Sequence, residues 1–324
     1  MSKDKYSRKF CVAPMMGYTT PHARKLYRIL SQKTFLFTEM IAASTMLHSK
    51  TKDLIIENDL QNPIALQVGG SDIDDLALCS KIAKSYNYDE INLNVGCPSK
   101  AVQKGSFGAC LMQDKKLVRA CLETMQNASD IEVTMKCRIG LGNDLNYDYF
   151  STFIDEIVQS GINIIYVHAR NAILNGISPK GNRSIPRLNY EFVKKIKKEH
   201  PHVQFILNGG IDSLDKAYAL SKEHDGVMLG REAYQNPSIL LDADQLYFDR
   251  EANERSAKDA VRALYPYIDT LLAKGAPLHY VSRHILGLFN GKRGARLFRR
   301  FLSERAHLRE SGTEVLEEAL QLVD

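Results

Sequence analysis

The chain has no apolar run approaching the roughly 18 residues that a bilayer span needs. Its first ten residues, MSKDKYSRKF, contain no apolar core of the kind a secretory signal requires, so a cytoplasmic protein without membrane attachment is expected. Six cysteines, at positions 11, 79, 97, 110, 121 and 137, form no CxxC pair and share no ligand spacing with histidine. Free thiols in a reducing compartment, and no metal site, are the expectation. No GxGxxG follows the first β-type run, which argues against a doubly wound dinucleotide-binding sheet. HExxH, GxSxG, a P-loop and a paired-carboxylate site are all missing, so hydrolysis and phosphoryl transfer lack their parts. Internal repeats and low-complexity tracts are missing as well. Acidic residues are missing in two places. Thr270 to Ser303 holds seven lysines and arginines and no Asp or Glu, and Asn171 to Tyr190 holds Lys180, Arg183 and Arg187 without an acid. One basic run is usually a solvated face, but two acid-free basic stretches under a net charge of +5 point to a polyanion partner.

What remains is ordinary for a soluble globular protein: 324 residues, 44% hydrophobic and 25% charged. Eight short β-type runs occur in the first three quarters, at 9–16, 34–41, 63–70, 90–97, 131–140, 163–170, 204–210 and 226–231. Helical patterns lie between most of them, at 72–86 behind a Ser71 cap, at 148–161 ending on a glycine, at 190–200 and at 213–223. Eight runs with intervening helices over about 240 residues match a (β/α)8 TIM barrel in count and length. Beyond Phe248 only helical patterns follow, at 253–275 and then in LHYVSRHILGLFNG, GARLFRRFLSERAHLR and TEVLEEALQLV. The expected division is a barrel over 1–245 and a small all-helical domain of about four helices over 246–324.

Barrels of this kind work at the C-terminal ends of their strands. Those ends hold Pro14, Met15 and Met16 in the first run, Gln67 in the third, and Asn94 and Cys97 in the fourth. They hold Lys136 and Arg138 in the fifth, His168 and Arg170 in the sixth, Asn208, Gly209 and Gly210 in the seventh, and Gly230 and Arg231 in the eighth. Singly, a strand-end His, Lys or Cys is usually structural. Their convergence on one mouth is harder to dismiss. The last two loops are the usual phosphate site of the fold, where glycines admit an anion to backbone N–H groups, so a phosphate-bearing cofactor is expected there.

The segments APMMGYTT, LNVGCPSK, MKCRIG, VHAR, NGGI and GVMLGREAYQNP resemble the flavin-dependent tRNA-dihydrouridine synthases, over nearly the whole chain. HARNAILNGISPKGNRSIPRLNY resembles in particular the bacterial subgroup acting on uridines 20 and 20a. The resemblance implies a monomeric barrel that binds FMN non-covalently and uses NADPH to reduce the C5=C6 bond of D-loop uridines in tRNA. It implies that Pro14 to Met16 and Gln67 line the flavin ring, and that Lys136 and His168 hydrogen-bond the ring and ribityl region. Asn208, Gly209, Gly210, Gly230 and Arg231 would then hold the phosphate. Cys97 would be the proton donor, and Asn94, Lys180, Arg183, Arg296 and Arg299 would contact tRNA. Two loops depart from the family pattern. Gly17-Tyr18-Thr19-Thr20-Pro21 stands where an acid-aromatic-Thr-Asp-Arg run is usual, and LGNDLNYDYF follows MKCRIG where the family often has Asp-Asp/Ser-Tyr.

Reduction across C5=C6 needs a hydride on one carbon and a proton on the other. The flavin supplies the hydride, and an ordinary thiol, mostly protonated at neutral pH, can supply the proton. Lys100 and Lys104 are expected to point away from Cys97, toward phosphates. The uracil must leave the stack to be reached, at a cost of a few kcal/mol. Arg296 with Arg299 or Arg300, three or four residues apart, would form a phosphate-gripping ridge, with Leu297 and Phe301 packing on another face of that helix. A flavin barrel reducing a free pyrimidine, which needs no basic tail, and a non-catalytic tRNA-binding barrel remain the alternatives.

Overall fold

The structure, a computed structural model, describes residues 6–51, 56–58, 61–251 and 255–324. Its frame is eight parallel strands: β1 (Phe10–Val12), β2 (Leu36–Ala42), β3 (Ile64–Gly69), β4 (Glu90–Val95), β5 (Glu132–Arg138), β6 (Ile164–His168), β7 (Gln204–Asn208) and β8 (Gly226–Leu229). They are hydrogen-bonded in the order β1-β8-β7-β6-β5-β4-β3-β2. The two ends of that order meet at Phe35, whose N–H donates to the Phe10 carbonyl at 3.0 Å and whose carbonyl accepts from Val12 N at 2.9 Å. An open doubly wound sheet would have two edges. Pairing of β1 with both β8 and the Phe35 segment makes this a TIM barrel, with every strand overlapping the run read for it.

Short polar side chains set the helix starts. Asn146 caps Tyr147–Val158, Asn189 caps Tyr190–Glu199 and Ser213 caps Leu214–Ser221, each accepting the N–H three residues on. Asp72, rather than Ser71, caps Ile73–Ser85, its carboxylate accepting from Asp75 N at 2.9 Å. The 253–275 pattern divides into Ala257–Arg262 and Tyr265–Ala273, with Pro266 in the first turn of the second helix. Residues 253 and 254 lie outside the described residues. Within 278–291 only His279–Ser282 is α-helical, and turns follow.

The barrel interior is unevenly composed. Cys11, Ala13, Phe35, Phe37, Ala65, Ile164, Tyr166, Ile206 and Met228 form one apolar cluster. Phe37 meets Tyr166 edge to face, with ring centroids 5.0 Å apart. Against it stands a polar wedge from β3, β4 and β5: Gln67, Glu90, Asn92, Asn94 and Thr134, all buried. On β4 the alternation is clear, with Ile91, Leu93 and Val95 on one face and Glu90, Asn92 and Asn94 on the other. Glu90 is fully buried and ion-paired to Arg8 at 2.9 Å.

The chain forms two compact units, Met1–Met15 with Phe35–Leu229, and Met16–Thr34 with Gly230–Asp324. The barrel strands belong to the first. The second is helical and takes in both the Pro21–Leu30 helix and residues 230–245, so its bounds differ from a division at 245/246. Asp244 accounts for part of this. Its carboxylate accepts from the Ser31 hydroxyl, from Gln32 N at 2.7 Å and from Lys33 N at 3.1 Å, which ties the turn after Pro21–Leu30 to the later segment. Arg262 and Glu317 pair through two contacts, at 2.7 and 3.0 Å, and the Tyr265 hydroxyl joins them.

Arg8→Met is expected to destabilise the fold by ~3–5 kcal/mol, because it leaves the buried Glu90 carboxylate without its counter-charge. Urea unfolding should show a lower midpoint with an unchanged slope. A midpoint equal to that of the unaltered protein would contradict this.

Candidate active site

At the C-terminal end of β4 the chain leaves the sheet through Gly96 and Cys97. The Asn94 side chain organises this exit: its Oδ1 accepts from Gly96 N at 3.1 Å and from Cys97 N at 3.0 Å. Its Nδ2 donates to Gln67 Oε1 at 2.8 Å. Asn94 therefore holds the Cys97 turn, a positioning role the residue pattern did not reveal. The turn is closed from the other side by Ala109 N, which donates to the Cys97 carbonyl at 2.9 Å. Gly108, one residue earlier, stands at φ +76°, where a Cβ would meet that carbonyl at 2.6 Å, so glycine is required. Cys97 itself is partly exposed, unlike Cys11, Cys79, Cys121 and Cys137, which are buried. Lys100 and Lys104 are both exposed on the short Lys100–Lys104 helix.

Lys136 is in register with Asn94 across β4 and β5. Its Nζ donates to Asn208 Oδ1 at 3.0 Å, and among the described residues it has no carboxylate partner. Burial lowers its pKa to about 8, and the Arg138 charge adds to the shift. Asn208 in turn donates from Nδ2 to the Met228 carbonyl at 2.7 Å, so it ties Lys136 to β8. His168, in register with Arg138 and Asn208, is held well below its ordinary pKa by burial and then by Arg138, Lys136, Arg170 and Arg183. It is a neutral imidazole at neutral pH. The charges acting on it are all positive, so the mouth is a cationic site able to take an anionic ligand.

Gly209 and Gly210 turn the chain after β7 with φ of +115° and +64°. A Cβ on Gly209 would lie 2.6 Å from His168 Cδ2, so the glycine makes room for the imidazole. The Tyr190 hydroxyl donates to the Gly209 carbonyl and Lys216 Nζ to the Gly210 carbonyl, both at 2.6 Å.

Arg138 is the strand-end residue whose task the sequence hid. It is buried, and its Nε donates to the Gly96 carbonyl at 2.9 Å, beside Cys97. One terminal nitrogen reaches the carbonyls of Asn171 and Asn182 at 2.8 and 2.9 Å. Arg138 thus joins the Cys97 turn to the loop after β6. That loop is held further by Asn182, which both donates to and accepts from the Ile173 backbone at 2.8 Å. Gln103 donates to the Pro98 and Leu174 carbonyls, each at 2.9 Å. On the loop, Lys180 and Arg183 are exposed beside the short turn Gly181–Arg183.

Pro14 and Met15 are partly buried at the end of β1 in the first unit. Met16, Gly230 and Arg231 belong to the second, where Met16 and Arg231 are exposed and Gly230 precedes the Arg231–Gln235 helix. Also in the second unit, Arg296 is exposed on the Ala295–Arg305 helix, and Arg299 donates to Asn290 Oδ1 at 2.8 Å. The packed face of that helix is Ala295, Phe298 and Leu302, not Leu297 and Phe301. Leu297 is 54% exposed, while Phe298 is buried edge-on to Phe289 at 4.8 Å. Arg300 pairs with Glu304 instead of extending the ridge. Among the described residues no helix is long and apolar enough to cross a membrane.

A parallel barrel with a thiol, a lysine and a neutral imidazole at its strand ends defines a TIM-barrel protein with an enzyme-like mouth. The dihydrouridine synthase family pattern matches residues 11–324, and the chain belongs to that family. It is 46% identical over 316 residues to the tRNA-dihydrouridine(20/20a) synthase of Salmonella typhimurium, covering 97% of this chain and 95% of that one. The protein of the same description from Escherichia coli K12 is 46% identical over 319 residues, 98% of this chain and 92% of its own. That of Pasteurella multocida is 45% identical over 318 residues, 98% and 97%. Among solved structures, morphinone reductase matches in fold, with a TM-score of 0.51 at 11% identity over 78% of this chain and 88% of its own.

Folding keeps the Lys136 pKa near 8 against an ordinary 10.5. Between those values the unfolded chain binds the extra proton, so Lys136 contributes stability that grows from about pH 8 to about 10.5, while the buried thiols of Cys79, Cys121 and Cys137, pushed up to about 12, 11 and 12, contribute a loss over the same range. Urea unfolding across this range should show the stability of the unaltered protein gaining on that of Lys136→Met as pH rises, because only the first carries the lysine's contribution. Identical pH profiles would remove the partly buried cation from the site.

Proposed function

We propose that this protein is a tRNA-dihydrouridine synthase that reduces D-loop uridines 20 and 20a, with FMN as resident cofactor and NADPH as reductant. The observation that carries the reading is the Cys97 turn beside Lys136, Arg138 and His168, in a chain of this family whose relatives are named for that reaction. The mouth fits a flavin phosphate or ring. Among the described residues Lys136 is a cation without a carboxylate partner, His168 is a neutral donor and acceptor, and the Gly209-Gly210 turn has no side chain of its own, so it lies close against His168 and Leu188. Pro14, Met15, Met16 and Gln67 would line the ring, Lys136 and His168 would hydrogen-bond ring and ribityl, and Asn208 would steady Lys136. Gly209, Gly210, Gly230 and Arg231 would hold the phosphate. When bound and reduced, the flavin supplies a hydride to uracil C6.

The remaining steps fall to the chain. Cys97 donates its proton to C5 and is later reprotonated from solvent. Asn94 and Arg138 fix the backbone from which the thiol projects, one through the Gly96 and Cys97 N–H groups and the other through the Gly96 carbonyl. Lys136 and Arg138 lie in electrostatic contact with Cys97 and steady the sulfur after it has given up its proton. A flipped-out uridine needs the rest of the tRNA to be gripped from outside. Lys180, Arg183, Arg296 and Arg299 supply exposed or partly exposed positive charge for phosphates, and contact by charge and shape suits an RNA fold. The acid-free tail favours this over reduction of a free pyrimidine, and the intact Cys97, Lys136 and His168 set favours an enzyme over a tRNA-binding barrel. The protein acts as a cytoplasmic monomer.

Cys97→Ala is expected to keep NADPH-driven flavin reduction and to lower dihydrouridine formation about 10²–10⁴-fold, the usual worth of a positioned proton donor. Stopped-flow bleaching of the flavin reads the first and dihydrouridine mapping in tRNA the second. Normal uridine reduction by the variant would exclude the thiol as the acid. Arg296→Ala with Arg299→Ala should weaken tRNA binding and lower the slope of log K against log salt by about 1–2. An unchanged slope would remove these arginines from the interface.

A further inference from the structure

The interior wedge of the barrel contains an unbroken chain of hydrogen bonds whose direction is fixed at both ends. At the outer end, the Gly96 and Cys97 N–H groups can only donate, so the Asn94 atom facing them is Oδ1. Its Nδ2 then donates to Gln67 Oε1 at 2.8 Å. Gln67 Nε2 donates to Asn92 Oδ1 at 2.8 Å, and Asn92 Nδ2 donates to Thr134 Oγ1 at 2.7 Å. The Thr134 hydroxyl must therefore donate onward, and it does so to Glu90 Oε1 at 2.6 Å. At the inner end, the other Glu90 oxygen accepts from Arg8 at 2.9 Å, which keeps the carboxylate an acceptor only. Both ends demand the same direction, and the links agree with it.

We propose that Glu90, Thr134 and Asn92, deep in the barrel, are positioning residues for the Cys97 turn. A carboxamide turned by 180° has nearly the same shape, so packing cannot choose between the two orientations of Gln67 or Asn94; only hydrogen bonding can. Water cannot substitute, because Glu90, Asn92 and Thr134 are fully buried and Gln67 and Asn94 are 1% and 8% exposed. Register puts the links side by side, Gln67 opposite Asn92 on one side and Thr134 opposite Asn92 on the other. The Glu90 charge polarises every link in the same sense, which strengthens the last one, at the Cys97 N–H. The orientation of Gln67 and Asn94 is thus settled before any ligand arrives.

The chain rests on the proposed function only for its catalytic consequence and is tested without flavin or tRNA. Thr134→Val keeps the shape and removes the hydroxyl, so that Asn92 Nδ2 faces a methyl group, while Thr134→Ser restores the hydroxyl. Site-resolved hydrogen exchange at Gly96 and Cys97 should run about tenfold faster in Thr134→Val, and iodoacetamide labelling of Cys97 should change in rate. Thr134→Ser should return both toward the unaltered protein. Unchanged exchange in the valine variant, or a serine variant as perturbed as the valine, would overturn the proposal. Should the valine variant fail to fold, the unaltered protein decides. One side-chain N–H proton of each of Gln67, Asn92 and Asn94 should exchange far more slowly than those of the exposed Asn175. Equal rates would overturn the chain. A turn that loosens in Thr134→Val while Cys97→Ala still reduces uridine would keep this inference and refute the proton donor instead.

Discussion

The polar side of this barrel's interior depends on a carboxylate kept away from water. Glu90 is fully buried, and a bare charge there would be prohibitively costly to desolvate. Arg8, Thr134 and Tyr166 meet its oxygens. Once those partners are in place, the remaining polar groups of the wedge have little freedom, since each buried donor needs an acceptor and each acceptor a donor. The apolar cluster built on Phe35, Phe37, Ile164 and Tyr166 fills the rest of the interior and keeps solvent out. The two halves are complementary: the oily side makes the polar side expensive to disturb, and the polar side gives the barrel a unique internal arrangement.

The barrel was legible because parallel strands leave short, bounded apolar runs, and all eight were readable as such. The site was partly legible for the same reason, since knowing the strand ends meant knowing the mouth. Cys97, Lys136 and His168 could be named from position and chemistry. Arg138 could be seen at a strand end, but its reach to Gly96, Asn171 and Asn182 depends on loops that sequence spacing does not bring together. Asn92 and Asn94 interrupt an apolar strand in the sequence. Their purpose appears only when Gln67 and Thr134 arrive beside them in register. The packed face of the Ala295–Arg305 helix lies one position from where the sequence pattern puts it, because in LFRRFL two apolar residues flank each side of an arginine pair and either phasing gives an amphipathic pattern. The grouping of Pro21–Leu30 with the later helices depends on Asp244, more than two hundred residues away, which local pattern cannot anticipate.

The two acid-free stretches belong to different units, 171–190 to the barrel and 270–303 to the helical unit. Within the barrel, the positive charge of Arg183 reaches the His168 ring, so surface and site share one field. That field serves two purposes, since it adds to burial in keeping the imidazole neutral and draws anions toward the mouth.

The two carbonyls gripped by Gln103, at Pro98 and Leu174, make one body of the thiol-bearing turn and the cationic loop, and Arg138 repeats the splice from below. The cationic loop and the backbone from which the Cys97 sulfur projects therefore share their hydrogen-bond partners. Under the proposed function a nucleic acid bound at Lys180 and Arg183 would bear on the same body that carries Cys97, and a ligand too small to reach them would not.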